Sequence, residues 1–99
     1  MYGTVARFRV KAGMEEAFRE YGVQQQQNRG STPGQRGFYL YQMDNNPREF
    51  YMVAIFDDRD SYHANAQSPE QHERFMEFVQ FMEAEPEWHD GEIVAAESR

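Results

Sequence analysis

The chain of 99 residues contains no cysteine, so it offers no disulfide framework, no thiolate nucleophile and no sulfur ligands for an iron–sulfur cluster. That composition suits a reducing cytosol, and a cytoplasmic location is the expectation. Lysine is nearly absent as well: Lys11 stands alone, and the formal net charge is −7. Nucleic acid and anionic membranes both demand clustered basic residues, so neither is an expected partner. There is no long hydrophobic run. The opening MYGTVARFRV alternates charged with apolar residues, which argues against a signal peptide or a membrane span. The glycines are scattered among turns and form no phosphate-cradling or dinucleotide-binding pattern. His63 and His72 lie nine residues apart across a helix break, and His89 is remote from both. No His-x-x-x-His pair or facing carboxylates accompany them, so no metal and no cofactor are expected. No repeat of solenoid period is visible.

What is present is aromatic: 15% of the residues are Phe, Trp or Tyr, a high share for a polar chain, and such residues gather in interfaces and pockets as well as cores. The length implies one domain over residues 1–99, small enough that a partner subunit would help it bury a core. Tyr2 to Val10 alternates, with Thr4, Ala6, Phe8 and Val10 on one side and Val5, Arg7 and Arg9 on the other, which predicts a strand. Met14, Ala17, Phe18 and Tyr21 then recur at helical spacing, and the helix is expected to run into Gln24 to Gln27. Residues 29–34 are dense in breakers and predict a loop.

Gly37 to Met43 and Glu49 to Phe56 read as two strands joined by the turn formers Asp44-Asn45-Asn46-Pro47, an antiparallel hairpin. Asp57 to Ser61 break the apolar run and open a short helix. Ser68-Pro69-Glu70-Gln71 opens another, with Ser68 as N-cap, Pro69 in the first turn and Gln71 as the reciprocal capping partner. Phe75, Phe78, Val79 and Met82 give this helix, expected to be the longest, its buried stripe, and Glu85-Pro86 ends it. Trp88 to Glu97, centred on Ile93 to Ala96, predicts the last strand. The order is that of an α+β, ferredoxin-like split βαβ domain with a four-stranded antiparallel sheet. Helices cover one face of such a sheet. The other would expose large residues, and a second copy of the chain is the simplest cover, so a homodimer is expected.

With that order, and with the run AIFDDRDSYHANAQSPEQHERF between the third strand and the last helix, the chain resembles the antibiotic biosynthesis monooxygenase (ABM) domain family, which is described as dimeric α+β barrels. The opening TVARFRVKAG, the strand ending in an aromatic before an acidic turn, and a histidine four residues after a Ser-Pro cap carry the likeness over nearly the whole chain. The family is a shared scaffold for cofactor-free oxygenation of phenolic or quinol compounds and for haem degradation, and fold alone does not choose between them. Haem-degrading members use an Asn on the first strand, a Trp in the short helix and a His in the next. Only the last has a counterpart here, His72, while the first strand offers Thr4 and Ala6. The family's frequent Trp at the end of the third strand is Phe56.

The resemblance implies a cofactor-independent monooxygenase acting on a small aromatic phenol or quinol; the alternative is a non-enzymatic dimeric barrel that binds a small apolar ligand or plays an accessory part. Under the first, His72 is the candidate base, because the helix start favours a neutral imidazole able to take a phenolic proton. A half-buried histidine satisfied by the nearby cap is the plain alternative. Arg7 or Asn65 would polarise the developing oxyanion. Arg7 points to the face a partner would close, where a guanidinium needs a carboxylate or an anionic ligand. Asn65 either holds a ligand or caps the junction to Ser68, and His63 is expected at the surface. Phe50, Met52 and Phe56 are expected to wall the cavity around the smaller Ala54, leaving Tyr51, Val53 and Ile55 to face the helices. Tyr39 and Tyr41 belong either to that pocket or to the interface.

Overall fold

The computed structural model describes residues 1–28 and 32–97. Its elements are β1 (Tyr2–Arg9), α1 (Glu15–Asn28), β2 (Gln35–Met43), β3 (Asn46–Phe56), α2 (Arg59–Ala66), α3 (Pro69–Val79) and β4 (Glu87–Glu92). The four strands form one antiparallel sheet in the order β2-β3-β1-β4, so the two central strands are those separated by α1 and the hairpin. This is the ferredoxin-like α+β arrangement. Of the expected loop, residues 29–31 lie outside the described part, and residues 32–34 lead into β2 without regular structure. No helix among the described residues is long and apolar enough to cross a membrane.

Burial in β1 alternates as its sequence does. Thr4, Ala6, Phe8 and Val10 are buried, whereas Val5, Arg7 and Arg9 are exposed. Residues directly opposite one another in antiparallel strands share a face, so the pairs Phe8↔Phe50, Ala6↔Met52, Thr4↔Ala54 and Tyr2↔Phe56 put this parity of β3 beneath the helices too. Phe8, Phe50 and Phe18 of α1 form the centre of the core, with Phe8 and Phe50 stacked at 6.2 Å and Phe18 edge-on to both. Removing each such ring from water contributes roughly 1.5–3 kcal/mol. The expectation that Tyr51, Val53 and Ile55 would face the helices is therefore corrected: they share the open face with Val5, Arg7, Tyr39 and Tyr41.

The last helix is shorter than its apolar stripe suggests, and α1, with 14 residues against 11 in α3, is the longest. After Val79 the chain leaves the helix to pair with the end of β1. Lys11 N–H donates to the Phe81 carbonyl at 2.8 Å and Glu83 N–H to the Arg9 carbonyl at 2.9 Å. Met82 is buried by its bridge to Val10, not by a helical face. Arg48 fastens this corner, donating to the Val10 carbonyl at 3.0 Å and pairing with Glu83.

The final strand is also displaced from its expected place. β4 pairs only with β1, and that register ends at Tyr2↔Glu92. Ile93 N–H reaches the Met1 carbonyl at 2.8 Å, and β4 itself ends at Glu92. The apolar run from Ile93 to Ala96 thus lies beyond the sheet, and Val94 is 92% exposed.

Two caps set the helices over the sheet. Asp58 accepts from Ser61 N–H at 2.8 Å while Asp58 N–H donates back to Ser61 Oγ at 3.3 Å, a reciprocal capping box for α2. Ser68 Oγ accepts from Gln71 N–H at 3.2 Å, as expected for the N-cap of α3. The reciprocal bond from Gln71 does not form. Ser68 N–H donates instead to the Asn65 carbonyl at 3.0 Å, and the Gln71 side chain turns to Arg74.

Candidate functional site

A cavity of about 290 Å³ opens between the helix-covered face of the sheet and the three helices. Its floor is Met52, Ala54 and Phe56 of β3 with Phe38 and Leu40 of β2, and Phe75 and Phe78 of α3 stand over it. The space exists because the small side chain of Ala54 sits centrally among large ones, while α2 and α3 contribute no buried residue of their own. Trp88, on the helix-facing parity of β4 opposite Ala6, closes one side and lies 6.2 Å from Phe75 between ring centroids.

Polar groups enter this lining from each of the three helices and from β1 and β2. Asn65 of α2 lines the cavity half-exposed, and no hydrogen bond within the described residues engages its side-chain amide. Its carbonyl holds the junction, accepting from both the N–H and the hydroxyl of Ser68, the latter at 2.9 Å. His72, in the first turns of α3, lies exposed on the lining, with no hydrogen bond to its imidazole among the described residues. Ser68 Oγ serves Gln71 and Asn65, so the cap makes no bond to His72.

Tyr62 donates its hydroxyl to Asp90 Oδ1 at 2.9 Å, which ties α2 to β4. Burial, reinforced by that hydrogen bond to a carboxylate, pushes its phenol up to about 12. Tyr21 is pushed up to about 12 for the same two reasons, burial first and then Glu77, whose Oε2 accepts its hydroxyl at 3.4 Å. Both phenols stay protonated at neutral pH and serve as hydrogen-bond donors.

The remaining candidates are not brought to this cavity. Arg7 projects from the opposite face of the sheet, where its Nε donates to Glu49 at 2.8 Å and its Nη1 to Glu87 at 3.4 Å. The guanidinium has the carboxylate partners its position calls for, which raise its pKa further, and it is separated from His72 by the sheet. Tyr39 and Tyr41, 56% and 53% exposed, stand on that same open face. Phe50 is 1% exposed in the core and walls no part of this cavity. His63 is exposed, with its ring against Tyr2 and Tyr62. No group of three or more His, Asp or Glu side chains among the described residues is placed to hold a metal ion.

Tyr62, Gln71, Arg74 and Trp88 are among the lining residues that were not candidates read from the sequence. A signal for two of them existed. Gln71, Arg74, Phe75 and Phe78 follow the i, i+3, i+4, i+7 spacing of one helical face, so an arginine interrupts an otherwise apolar stripe. Trp88 could be placed only once the β1–β4 register was known.

With this geometry in hand, the comparisons with known proteins fall into place. The sequence profile described as antibiotic biosynthesis monooxygenase matches residues 1–77, and the chain belongs to that family. No curated protein matches it. A proposed antibiotic biosynthesis monooxygenase from Nitrosomonas europaea superposes with a TM-score of 0.79 at 20% identity, covering 96% of this chain and 100% of that one. One from Deinococcus radiodurans gives 0.82 at 13% identity, covering 100% and 98%. SnoaB, a cofactor-independent oxygenase from Streptomyces nogalater, gives 0.81 at 15% identity, covering 96% and 94%. At such identities the likeness establishes the shared fold.

Proposed function

We propose that this chain is a cofactor-independent monooxygenase of a small phenol or quinol, working as a homodimer in the cytoplasm. The observation that carries the reading is the apolar cavity with His72 and Asn65 as unengaged polar groups on its lining. His72 takes the phenolic proton, the Asn65 amide donates to the oxyanion that develops, and Met52 and Phe56 keep water from competing. The electron-rich phenolate passes an electron to O₂, and the two radicals join at a ring carbon to form a peroxide. Loss of water from that peroxide leaves a quinone, so phenol and O₂ give quinone and one H₂O. Membership of the family and the description of SnoaB support the reaction class.

Arg7, Tyr39 and Tyr41 belong, in this reading, to the dimer. The open face carries Val5, Tyr39 and Tyr41, each more than 40% exposed, beside Tyr51, Val53 and Ile55. That is more apolar surface than a monomer ordinarily leaves in water. A second copy packed against it would bury on the order of 2,000 Å² in total. Sedimentation velocity at micromolar concentration checks this, and a monodisperse monomer would refute it.

Oxygen uptake over a panel of naphthols, anthrones, quinols and catechols tests the reaction. Wild type should exceed the uncatalysed rate on at least one, and His72→Ala should abolish that excess while remaining a dimer. If wild type consumes no oxygen on any of them, the chain is a ligand-binding barrel. Turnover that survives His72→Ala keeps the reaction class and removes the base.

A further inference from the structure

The charge on the cavity lining is of one sign. The sequence has 17 acidic residues against 10 basic ones, yet no carboxylate lines this cavity and one arginine, Arg74, does. Five other arginines are committed elsewhere. Arg7, Arg9, Arg36 and Arg48 each pair with a carboxylate, and Arg59 lies over the Tyr2 ring at 5.3 Å. Arg74 is half-buried, and no carboxylate among the described residues lies within ion-pair distance of it. Glu77, one turn on, is engaged by the Tyr21 hydroxyl.

A single neutral contact orients the group: Nη1 donates to Gln71 Oε1 at 3.3 Å. That contact exists because Gln71 is released from the capping role its position predicts. A guanidinium has five N–H donors in a rigid fork, so most of its capacity faces the cavity and solvent unspent. Placing a cation beside an apolar pocket without its counterion is unfavourable unless something anionic completes it. The fork is matched to a carboxylate, which it can hold through two parallel hydrogen bonds.

We propose that the substrate of this cavity is an aromatic acid, a hydroxylated one- or two-ring arene whose carboxylate is held by Arg74 while its rings lie on Met52, Ala54 and Phe56. The ring count follows from the volume: about 290 Å³ is at the lower end of ligand pockets, which span roughly 300–1,000 Å³. Arg74 is thus a specificity-determining residue, and Gln71 is a positioning residue that acts through it. The inference rests on reading this cavity as the substrate site, and it names which phenols enter.

Trp88 is the only tryptophan in the chain and it lines the cavity, so its fluorescence reports occupancy directly. The probes are 1-hydroxy-2-naphthoate and its neutral isostere 1-hydroxy-2-naphthamide, titrated against the full chain, with calorimetry as an independent readout. Wild type should bind the acid about tenfold or more tighter than the amide, the difference a charge-assisted pair makes. Arg74→Gln should lose that preference by weakening the acid alone. Equal affinities for acid and amide in wild type, binding of neither, or a preference that persists in Arg74→Gln would each overturn the proposal. The wild-type comparison stands even if the variant folds poorly. Oxygen uptake on the same acid separates this inference from the reaction: Arg74-dependent binding without uptake removes the oxygenase and leaves the acid site.

Discussion

Replacing Gly34 by alanine should cost more than replacing Gly13, although both glycines have φ near +80°. Any L-residue in that left-handed region loses roughly 1–2 kcal/mol, partly offset by about 0.4–1 kcal/mol from a stiffer unfolded chain. At Gly13 that is the whole effect, because a new Cβ would meet nothing within 4 Å. At Gly34 it would fall 2.5 Å from Ser61 Cβ and 2.7 Å from Ser61 Oγ. Ser61 cannot swing aside, since it is the third residue of the α2 capping box and the clash is with its first side-chain carbon. The Gly34 carbonyl is itself held, accepting from Asp57 N–H at 2.8 Å. Overpacking of this kind costs about 1–3 kcal/mol. Gly13→Ala should therefore lose about 1 kcal/mol or less and Gly34→Ala about 2–4 kcal/mol. For a domain of this size each kcal/mol moves the melting midpoint by roughly 4–8 °C, so the two variants should differ by about 5–20 °C. Circular dichroism melts at matched protein concentration measure the difference. Equal shifts would refute the proposed contact between the loop and α2.

Ser68→Ala should lower stability by about 1 kcal/mol, because the hydroxyl satisfies Gln71 N–H and ties down the Asn65 carbonyl; an unmoved melting midpoint would show the cap to be idle. Alkaline stability should depend on Tyr62. Its folded-state pKa is raised from 10.0 to about 12, so the native state holds the proton more tightly, and this contribution is complete below pH 10 and lost as pH rises toward 12. In urea titrations from about pH 9.5 upward, Tyr62→Phe should show a shallower decline than wild type, and Tyr21→Phe should do the same because that phenol is raised for the same reason. Parallel declines in all three proteins would contradict the assignment of burial as the cause.

Much of this architecture is local and therefore legible in the chain. The alternation of Thr4, Ala6, Phe8 and Val10 and the Ser68-Pro69 start of α3 each depend on a few neighbours, and each appears where those neighbours put it, whereas the hairpin turn is tighter than expected, with Asn46 and Pro47 already in β3. The differences arise where a distant strand decides. Glu49 to Phe56 is apolar on both parities, so its orientation follows from pairing Phe50 with Phe8, a contact 42 residues away in the chain. Phe78, Val79 and Met82 continue a helical stripe, yet the chain turns after Val79 and Met82 bridges to Val10 at the end of β1. Ile93 to Ala96 has strand composition but lies outside the register that pairs β4 with β1. For the site, the two residues placed on the helices, Asn65 and His72, reached the cavity, whereas Arg7, Phe50, Tyr39 and Tyr41 depended on sheet parity or depth and did not.

The absence of any buried residue from α2 and α3 gives the molecule an uneven internal cohesion. β1, β3 and α1 share the dense aromatic core, while the two helices that roof the cavity are held by caps, by the Tyr62–Asp90 bond and by partly covered rings. Local opening draws on just such segments. In amide hydrogen exchange, α2 and α3 should therefore lose protection well before β1 and β3, through excursions that leave the sheet intact. A ligand that bridges sheet and roof closes that gap by mass action, adding about 2.7 kcal/mol at a hundred times its Kd. Exchange rates in the roof thus form an assay for the natural ligand that requires no knowledge of the reaction it undergoes.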